Sequence, residues 1–514
     1  MLLFFKQGCM PLINSIINAF NKSRLDKIER FKTHPFPVQE STLFDLIRKA
    51  RDTEWGRKYG FSGIRDIEGF QSAVPLQTYE DVKPYVDRIR RGEQNILWPG
   101  AIKWFAKSSG TTDDKSKFIP VSREALVGCH YRGGYDVLAL YGRQNPKTKV
   151  FTAKTLTLGG SRQIEKESEH AYCGDLSAIL IQNVPRWVNW LKTPSVDIAL
   201  LPDFNEKLEK IAKTSVNRHV VAFTGVPSWN MVLMKYILDY TGKRNIQEVW
   251  PDMELFIHGG VCFAPYREQY RALFPSPGMH YFETYNASEG FFALQDDPAA
   301  DDMLLMLDYN VFYEFIPTDQ LGKDSPEVLT IDRVETGKNY ALVITTNAGL
   351  WRYIIGDTVV FTSLYPHKIK ISGRTKQFIN AFGEEVIVDN AENALKEACA
   401  ATGAVISEYT AGPVYMDRES NGAHEWLIEF EKAPENLMLF TQTLDSALCA
   451  LNSDYEAKRK GDITLRMPII RVMPRGAFYE WMKRRGKLGG QNKVPRLSND
   501  RKLPDELLSM YPEL

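Results

Sequence analysis

Between residue 123 and about residue 345 the chain switches repeatedly between two hydrophobic periods, and this restricts its fold more than any other feature. Glu206 to Ala212 and Trp229 to Tyr240 carry apolar residues at helical spacing. Val220-Val221-Ala222-Phe223 and Leu255-Phe256-Ile257 are short apolar runs of the kind found in buried strands. A helix stripe and a sheet face each need a covering layer, so the interleaving predicts a layered α/β domain. Upstream, residues 11–60 read as helices. Leu43, Phe44, Leu46 and Ile47 fall at helical spacing after Ser41, a candidate N-cap. Residues 79–92 form another charged helical stretch. Ile102, Trp104 and Ala106 alternate with Lys103, Phe105 and Lys107, which predicts a strand, and Phe118 to Val121 and Met279 to Thr284 read likewise. A β-rich stretch follows: Val328 to Ile331, Tyr340 to Thr345, Thr358 to Phe361 and Lys368 to Ile371. Gly373-Arg374-Thr375-Lys376 interrupts it, and a basic segment of helices and strands completes the chain. The boundary predicted from this change is a first domain over 10–373, a hinge at 374–378 and a second domain over 379–514.

The chain's 514 residues exceed what one ordinary core holds, in keeping with two domains. Lys plus Arg is 64 and Asp plus Glu is 64, so no global charge pulls the protein toward nucleic acid or an anionic membrane. Six scattered cysteines without a C-x-x-C pair argue against a disulfide framework and a cysteine zinc site. They fit a reducing cytoplasm, the expected location. No apolar run approaches the roughly 20 residues of a membrane helix. Met1 to Phe5 meets Lys6 at once and is too short for a signal-peptide core. The oligomeric state stays open between monomer and weak dimer.

Ser108-Ser109-Gly110-Thr111-Thr112-Asp113-Asp114-Lys115-Ser116-Lys117 is the sharpest local signal. Small hydroxylated residues around a Gly offer backbone N–H groups and hydroxyls to phosphate oxygens, and Lys115 and Lys117 add charge. The spacing is not that of a Walker A motif. The segment joins two strands rather than opening a helix. Read alone it fits a polar hairpin turn equally well. Asp113 and Asp114 would repel a triphosphate and are expected at an exposed tip.

Four other segments carry candidate chemistry. Tyr285-Asn286-Ala287-Ser288-Glu289-Gly290 follows a strand pattern: an aromatic there can stack a purine and a carboxylate can hold Mg²⁺ on phosphates, although packing is the commoner use of such a Tyr. Asp357, after Gly356 at a strand edge, can accept ribose hydroxyls or be a simple turn Asp. His258-Gly259-Gly260 allows close approach of a flat ligand, or a plain turn, with His258 read as structural. Gly486 to Arg496 is a Gly-rich basic loop, suited either to a mobile arm or to a solvated surface. No G-x-S-x-G elbow and no activated cysteine pattern appears, which disfavours covalent catalysis.

In this order, these segments resemble the Gretchen Hagen family of acyl acid amido synthetases, within the adenylate-forming superfamily of acyl-CoA synthetases and luciferase-like enzymes. The resemblance spans about residues 40–500. It includes Thr53 to Gly60, Pro75 to Asp81, Phe223-Thr224-Gly225-Val226-Pro227-Ser228-Trp229, and Tyr313-Glu314-Phe315-Ile316-Pro317. It implies an α/β fold in which a large N-terminal domain, with layered subdomains and a β-barrel-like part, carries a smaller mobile C-terminal α+β domain. It further implies a ligase using ATP and Mg²⁺ to convert a carboxylic acid into acyl-AMP and pass the acyl group to an amine, with an amino acid as the expected acceptor. An acyl-CoA ligase and a non-catalytic nucleotide-binding protein are the rival readings.

The resemblance assigns roles by position. Ser108, Ser109, Gly110, Thr111 and Thr112, with Lys117, wrap the phosphates. Gly259 and Gly260 line the adenine and Tyr285 stacks on it. Glu289 binds Mg²⁺, Asp357 holds the ribose, Arg374 sits at the hinge, and Lys493 contacts the reacting phosphate. Arg123, Thr224 and Val226 are substrate-binding candidates, and Tyr131, Thr157, Leu158 and Trp187 are further residues of the acid pocket. Ala287 replaces a family Ser, Ile354 a family Arg with Arg352 close by, and Asp113 and Asp114 stand in place of glycines. These departures leave the nucleotide roles in place, put hormone substrates in doubt and suggest a divergent branch, such as a bacterial one.

Overall fold

The computed structural model describes residues 10–513 apart from 110–115, 160–163, 202, 262, 264–265, 376, 418–419, 463 and 486–493. Two long helices, Met10–Thr33 and Pro35–Ala50, open the chain. The second begins at a Pro, which has no N–H to satisfy and suits a first turn. Ser41 is therefore not an N-cap: it lies in mid-helix, and His34 occupies the cap position. Arg24 ties the first helix to the body, donating from Nε to Asp136 at 3.0 Å on the helix Tyr131–Gln144 and pairing with Asp308.

The alternating patterns form the layers they predict. An eleven-stranded sheet runs through the larger part of the described chain. Its parallel half takes the strands Lys192–Thr193, Lys154–Thr157, Val220–Gly225, Leu255–Gly259 and His280–Ala287 in that spatial order. The antiparallel half continues it through Gly290–Leu294, Met303–Leu305, His367–Arg374, Tyr353–Leu364, Asn339–Thr346 and Val311–Pro317. Val328 to Ile331 does not form the strand expected of it. Leu329 makes a single bridge to Phe315, and the Thr330 hydroxyl turns the chain by donating to Asp332 at 2.6 Å. The junction of the two halves is the hairpin turn Ser288–Glu289, beside the carboxyl ends of the parallel strands, where open α/β sheets bind ligands.

A four-stranded sheet stands apart. In it Trp104–Ser109 and Ser116–Val121 form an antiparallel hairpin, so the phosphate-loop candidate does join two strands. After Arg374 the chain builds a three-stranded sheet, Val405–Val414, Ala423–Lys432 and Ile469–Met473, flanked by the helices Val388–Thr402 and Leu437–Leu451. This body shares an apolar cluster with the larger one: Phe223, Phe256 and Trp229 lie in the same cluster as Phe382 and Trp426. Polar contacts cross the same seam. The Tyr266 hydroxyl donates to the Ala381 carbonyl at 2.9 Å, the Ser116 and Ser453 hydroxyls are 3.0 Å apart, and the Lys458 ammonium lies 4.5 Å from the Trp229 ring centroid.

Arg352, the arginine nearest the family motif, has a structural task. Its backbone is left-handed (φ 46°), and its buried guanidinium donates to Glu314 at 3.1 Å and to the carbonyls of Gln71 and Val74 at 2.7 Å each. It does not stand in for the arginine that Ile354 replaces. Ile354 is at home in an apolar cluster with Ile316, Ala341 and Val343. Removing one partner of a buried ion pair strands the other charge, at a cost of about 3–5 kcal/mol. Arg352→Ala is therefore expected to lose about that much stability in urea unfolding, and a loss under about 1 kcal/mol would contradict the buttress role.

Candidate active site

The site forms where the antiparallel half of the sheet meets the chain leading to the second body. Asp357 lies within the strand Tyr353–Leu364, directly opposite Arg374 on His367–Arg374. It is a strand residue, not a turn Asp. Gly356 (φ 95°) supplies the left-handed kink before it, and its carbonyl accepts from Thr375 N–H at 2.8 Å. Arg374 Nε donates to Asp357 Oδ1 at 2.8 Å, and the Tyr285 hydroxyl donates to Oδ2. A carboxylate accepts at about four positions, so these two bonds orient Asp357 and leave capacity for further hydroxyl donors.

Tyr285 is 5% exposed and packs edge-on against Phe292, the ring centroids 5.0 Å apart. Burial and the adjacent Asp357 carboxylate push its phenol well above the ordinary value, so it remains a donor. The task the geometry shows for Tyr285 is holding Asp357 in place. Glu289 sits in the turn joining two strands, its side chain buried. Burial raises its carboxyl pKa and nearby Asp357 adds to that, while the charges of Lys117 and Arg374 oppose it. Lys117 stands opposite Ser108 on the phosphate-loop hairpin. Glu289, Asp357, Arg374 and Lys117 therefore share one electrostatic field although they come from four separate stretches of sequence.

The glycines have internal reasons to be glycine. A Cβ on Gly259 would meet the Thr284 carbonyl oxygen at 2.3 Å, so the close approach it permits is that of the neighbouring strand. Gly260 is left-handed (φ 83°), and a Cβ there would lie 3.5 Å from the Val226 side chain. Thr224 and Val226 end the adjacent strand Val220–Gly225 and begin the helix Pro227–Thr241, so they flank the glycine pair. Arg123, by contrast, is exposed at the first turn of a short helix and is not among the groups around Asp357. Ser108 is half-buried at the loop's base. The Ser109 and Trp187 side chains, Gly110, Thr111, Thr112, Asp113, Asp114, Lys115 and Lys493 lie outside the described residues.

One participant was not legible in the sequence. Glu385, in the segment after Arg374, pairs with Arg374 Nη1 from a left-handed backbone (φ 42°). Its carbonyl accepts from Asn452 Nδ2 at 3.0 Å. The adjacent Glu384 accepts from the backbone N–H groups of Ala381 and Phe382 and from His424, and so shapes the same loop. Arg374 is thereby clasped between Asp357 of the large body and Glu385 of the small one. The only signal was an acidic pair after Gly383 between two short apolar strands, which periodicity cannot interpret.

The cluster offers hydroxyl acceptors, fixed positive charge and one buried carboxylate, a set suited to a polyhydroxylated phosphate ester. Cys129 is not poised as a nucleophile: it is buried, exchanges hydrogen bonds with the Phe291 backbone and has its thiol pushed up to about 12. Among the described residues no group of three or more His, Cys, Asp or Glu could hold a metal alone. Mg²⁺ commonly takes one or two carboxylates plus substrate phosphates, and Glu289 beside the phosphate-loop hairpin fits that pattern.

Three family models match in succession: the GH3 family N-terminal domain over residues 24–279, the central domain over 304–374 and the C-terminal domain over 389–502. Indole-3-acetic acid-amido synthetase GH3.3 of Arabidopsis thaliana is 24% identical, covering 89% of each chain. The jasmonoyl-L-amino acid synthetase JAR4 of Nicotiana attenuata is 23% identical, covering 89% of this chain and 90% of its own. Among solved structures, AtGH3.15 acyl acid amido synthetase in complex with 2,4-DB is 19% identical with a TM-score of 0.61, covering 99% of this chain and 97% of its own. A 2-hydroxyisobutyryl-CoA ligase with 2-HIB-AMP and CoA is 12% identical with a TM-score of 0.57, covering 93% and 92%. The fold is therefore the one these ligases share. Matched over most of its length by the domains of a single family, in order, the chain belongs to the GH3 (Gretchen Hagen) family.

Proposed function

We propose that the protein is an ATP-dependent acyl acid amido synthetase, which adenylates a carboxylic acid and transfers the acyl group to an amino acid. The observation that carries this is the oriented carboxylate of Asp357, held by Tyr285 and Arg374 beside Glu289 and Lys117. Asp357 accepts the ribose hydroxyls. Lys117 and the Ser108 to Thr112 segment receive the phosphates, and Gly259, Gly260 and Tyr285 border the adenine. Thr224 and Val226 lie on the acid side of the glycine pair. The acid's carboxylate attacks the α-phosphorus, and pyrophosphate leaves with the electrons of the broken P–O bond. Negative charge gathers on phosphate oxygens in that transition state, so fixed positive charge and positioning lower the barrier without a protein nucleophile. Mg²⁺, when bound, would neutralise phosphate charge, and Glu289 would hold it. Lys493 supplies a further cation. The segment over 379–514 is the mobile domain, turning about 374–378 before the amine attacks the acyl carbonyl, loses a proton and displaces AMP, which leaves with the electrons of the broken acyl C–O bond. The free thiols of Cys129, Cys173 and Cys399 suit a reducing cytoplasm.

ATP–pyrophosphate exchange with aryl, indole and aliphatic acids tests the first step. Acid-dependent exchange is expected, followed by an acyl amide when an amino acid is added. An acyl thioester with CoA in its place would assign the acceptor to the rival ligase class. ATP binding without exchange across the panel would indicate a non-catalytic nucleotide-binding protein.

A further inference from the structure

The amino ends of the parallel strands, at the edge opposite the nucleotide groups, hold a cavity of about 350 Å³. Small-ligand pockets measure about 300–1,000 Å³. Lys154 opens the strand Lys154–Thr157, and Asn217, Arg218 and His219 lead into Val220–Gly225 beside it. The Lys154 N–H donates to the His219 carbonyl at 2.9 Å, which ties these two walls together. Trp190, just before the strand Lys192–Thr193, forms a third wall. Thr224 lies toward the other end of its strand, four residues from Val220 and about 13 Å away. None of the lining residues belongs to the adenylation site.

The ionisable side chains of the lining, Lys154, Arg218 and His219, are all basic. His219 has a partner: its Nε2 lies 2.8 Å from Asp252, a carboxylate that Lys149 also pairs with at 2.5 Å. Lys154 and Arg218 make no ion pair among the described residues. The half-buried Lys154 ammonium is aimed by donating to the Trp190 carbonyl. Partial burial, and then the charge of Arg218, lower its pKa, so two like charges stand close together in one cavity. An anion between them removes that repulsion. Trp190 is 71% exposed, so the cavity also offers an indole face that is open to water.

We propose that this cavity binds a phosphate monoester carrying a planar ring: the phosphate between Lys154 and Arg218, and the ring against Trp190. The charge count selects the phosphate. A carboxylate brings one negative charge and leaves one cation unmatched, whereas a phosphate monoester carries about −1.5 to −2 at pH 7. The Arg218 guanidinium presents paired donors suited to phosphate oxygens. The ring covers apolar indole surface in an offset or edge-on stack. Binding here is independent of the adenylation reading and requires neither ATP nor an acyl acid.

Calorimetry on nucleotide-free protein with phenyl phosphate tests it. A site with a Kd near or below about 1 mM is expected. Phenol, inorganic phosphate and benzoate each lack part of the match and should bind at least about tenfold more weakly. Lys154→Gln and Arg218→Gln should each weaken phenyl phosphate binding by about tenfold or more. Trp190→Ala should weaken it about fivefold and leave inorganic phosphate unaffected. Circular dichroism checks each variant's fold. Lys117→Gln, which alters the phosphate-loop hairpin, should leave this binding unchanged. Three outcomes overturn the proposal. Phenyl phosphate does not bind the wild type, or it binds folded Lys154→Gln and Arg218→Gln as tightly as wild type, which would place it at the phosphate loop. The third is benzoate binding as tightly as phenyl phosphate, which would refute the charge match.

Discussion

Glu289→Gln lowers acid-dependent ATP–pyrophosphate exchange by a hundredfold or more, an effect of about 2.7 kcal/mol or above on the barrier. The substitution keeps the shape of the turn and removes the charge. Removal of one preorganised electrostatic contact to a reacting centre commonly costs a hundred- to a thousandfold, roughly. The same change should stabilise the resting protein. Burial raises the Glu289 carboxyl pKa above its unfolded value of about 4.3. As pH rises between those two values the unfolded chain loses its proton first, so folding stability falls. Above the folded value the loss is complete. Glutamine removes this penalty. In thermal unfolding without Mg²⁺ or nucleotide, Glu289→Gln should therefore melt higher than wild type at pH 7–8, with the difference closing as the pH falls toward about 4. A variant that is both active in exchange and no more stable would remove Glu289 from the site.

Such a trade between stability and chemistry cannot be read from a turn motif, and this marks how far the sequence reaches. Helices and strands were legible because their apolar residues repeat at the period each element requires, as in Val220 to Phe223 and Trp229 to Tyr240. Failures came where a local bond overrode the pattern. Thr330 turning onto Asp332 cut short a strand, and Pro35 started a helix well before Ser41. In the site, Asp357, Tyr285 and Arg374 could be named through resemblance, but their mutual bonding depends on strand register, which no motif encodes. Ile354 shows the converse: a departure that looked functional is explained by apolar neighbours. Glu385 was invisible because its partner lies across the boundary between two bodies, and its backbone conformation is uncommon for a residue other than Gly.

That cross-boundary clasp yields the second large effect. Arg374→Ala leaves Asp357 with the Tyr285 hydroxyl among its described side-chain partners and removes the ion pair to Glu385. Hydrogen bonds to charged groups contribute about 1.5–3 kcal/mol, so a roughly 10- to 100-fold rise in the KM for ATP in exchange is expected as Asp357 loses its orientation. Glu385→Gln cuts the clasp on its other side. It keeps Arg374 on Asp357, so the KM for ATP should stay within about twofold. The consequence falls on the small body, whose position over the site depends on Arg374–Glu385 along with the Tyr266–Ala381 and Ser116–Ser453 contacts. If that body turns between the two half-reactions, weakening one of its orientations changes the ratio of amide formation to exchange, here by at least about fivefold, since one charge-assisted bond is lost. The pair of variants separates two roles of one arginine. Equal losses of ATP affinity in both would show that Glu385 acts only through nucleotide binding, whereas an unchanged ratio in Glu385→Gln would show that the clasp does not hold the domains.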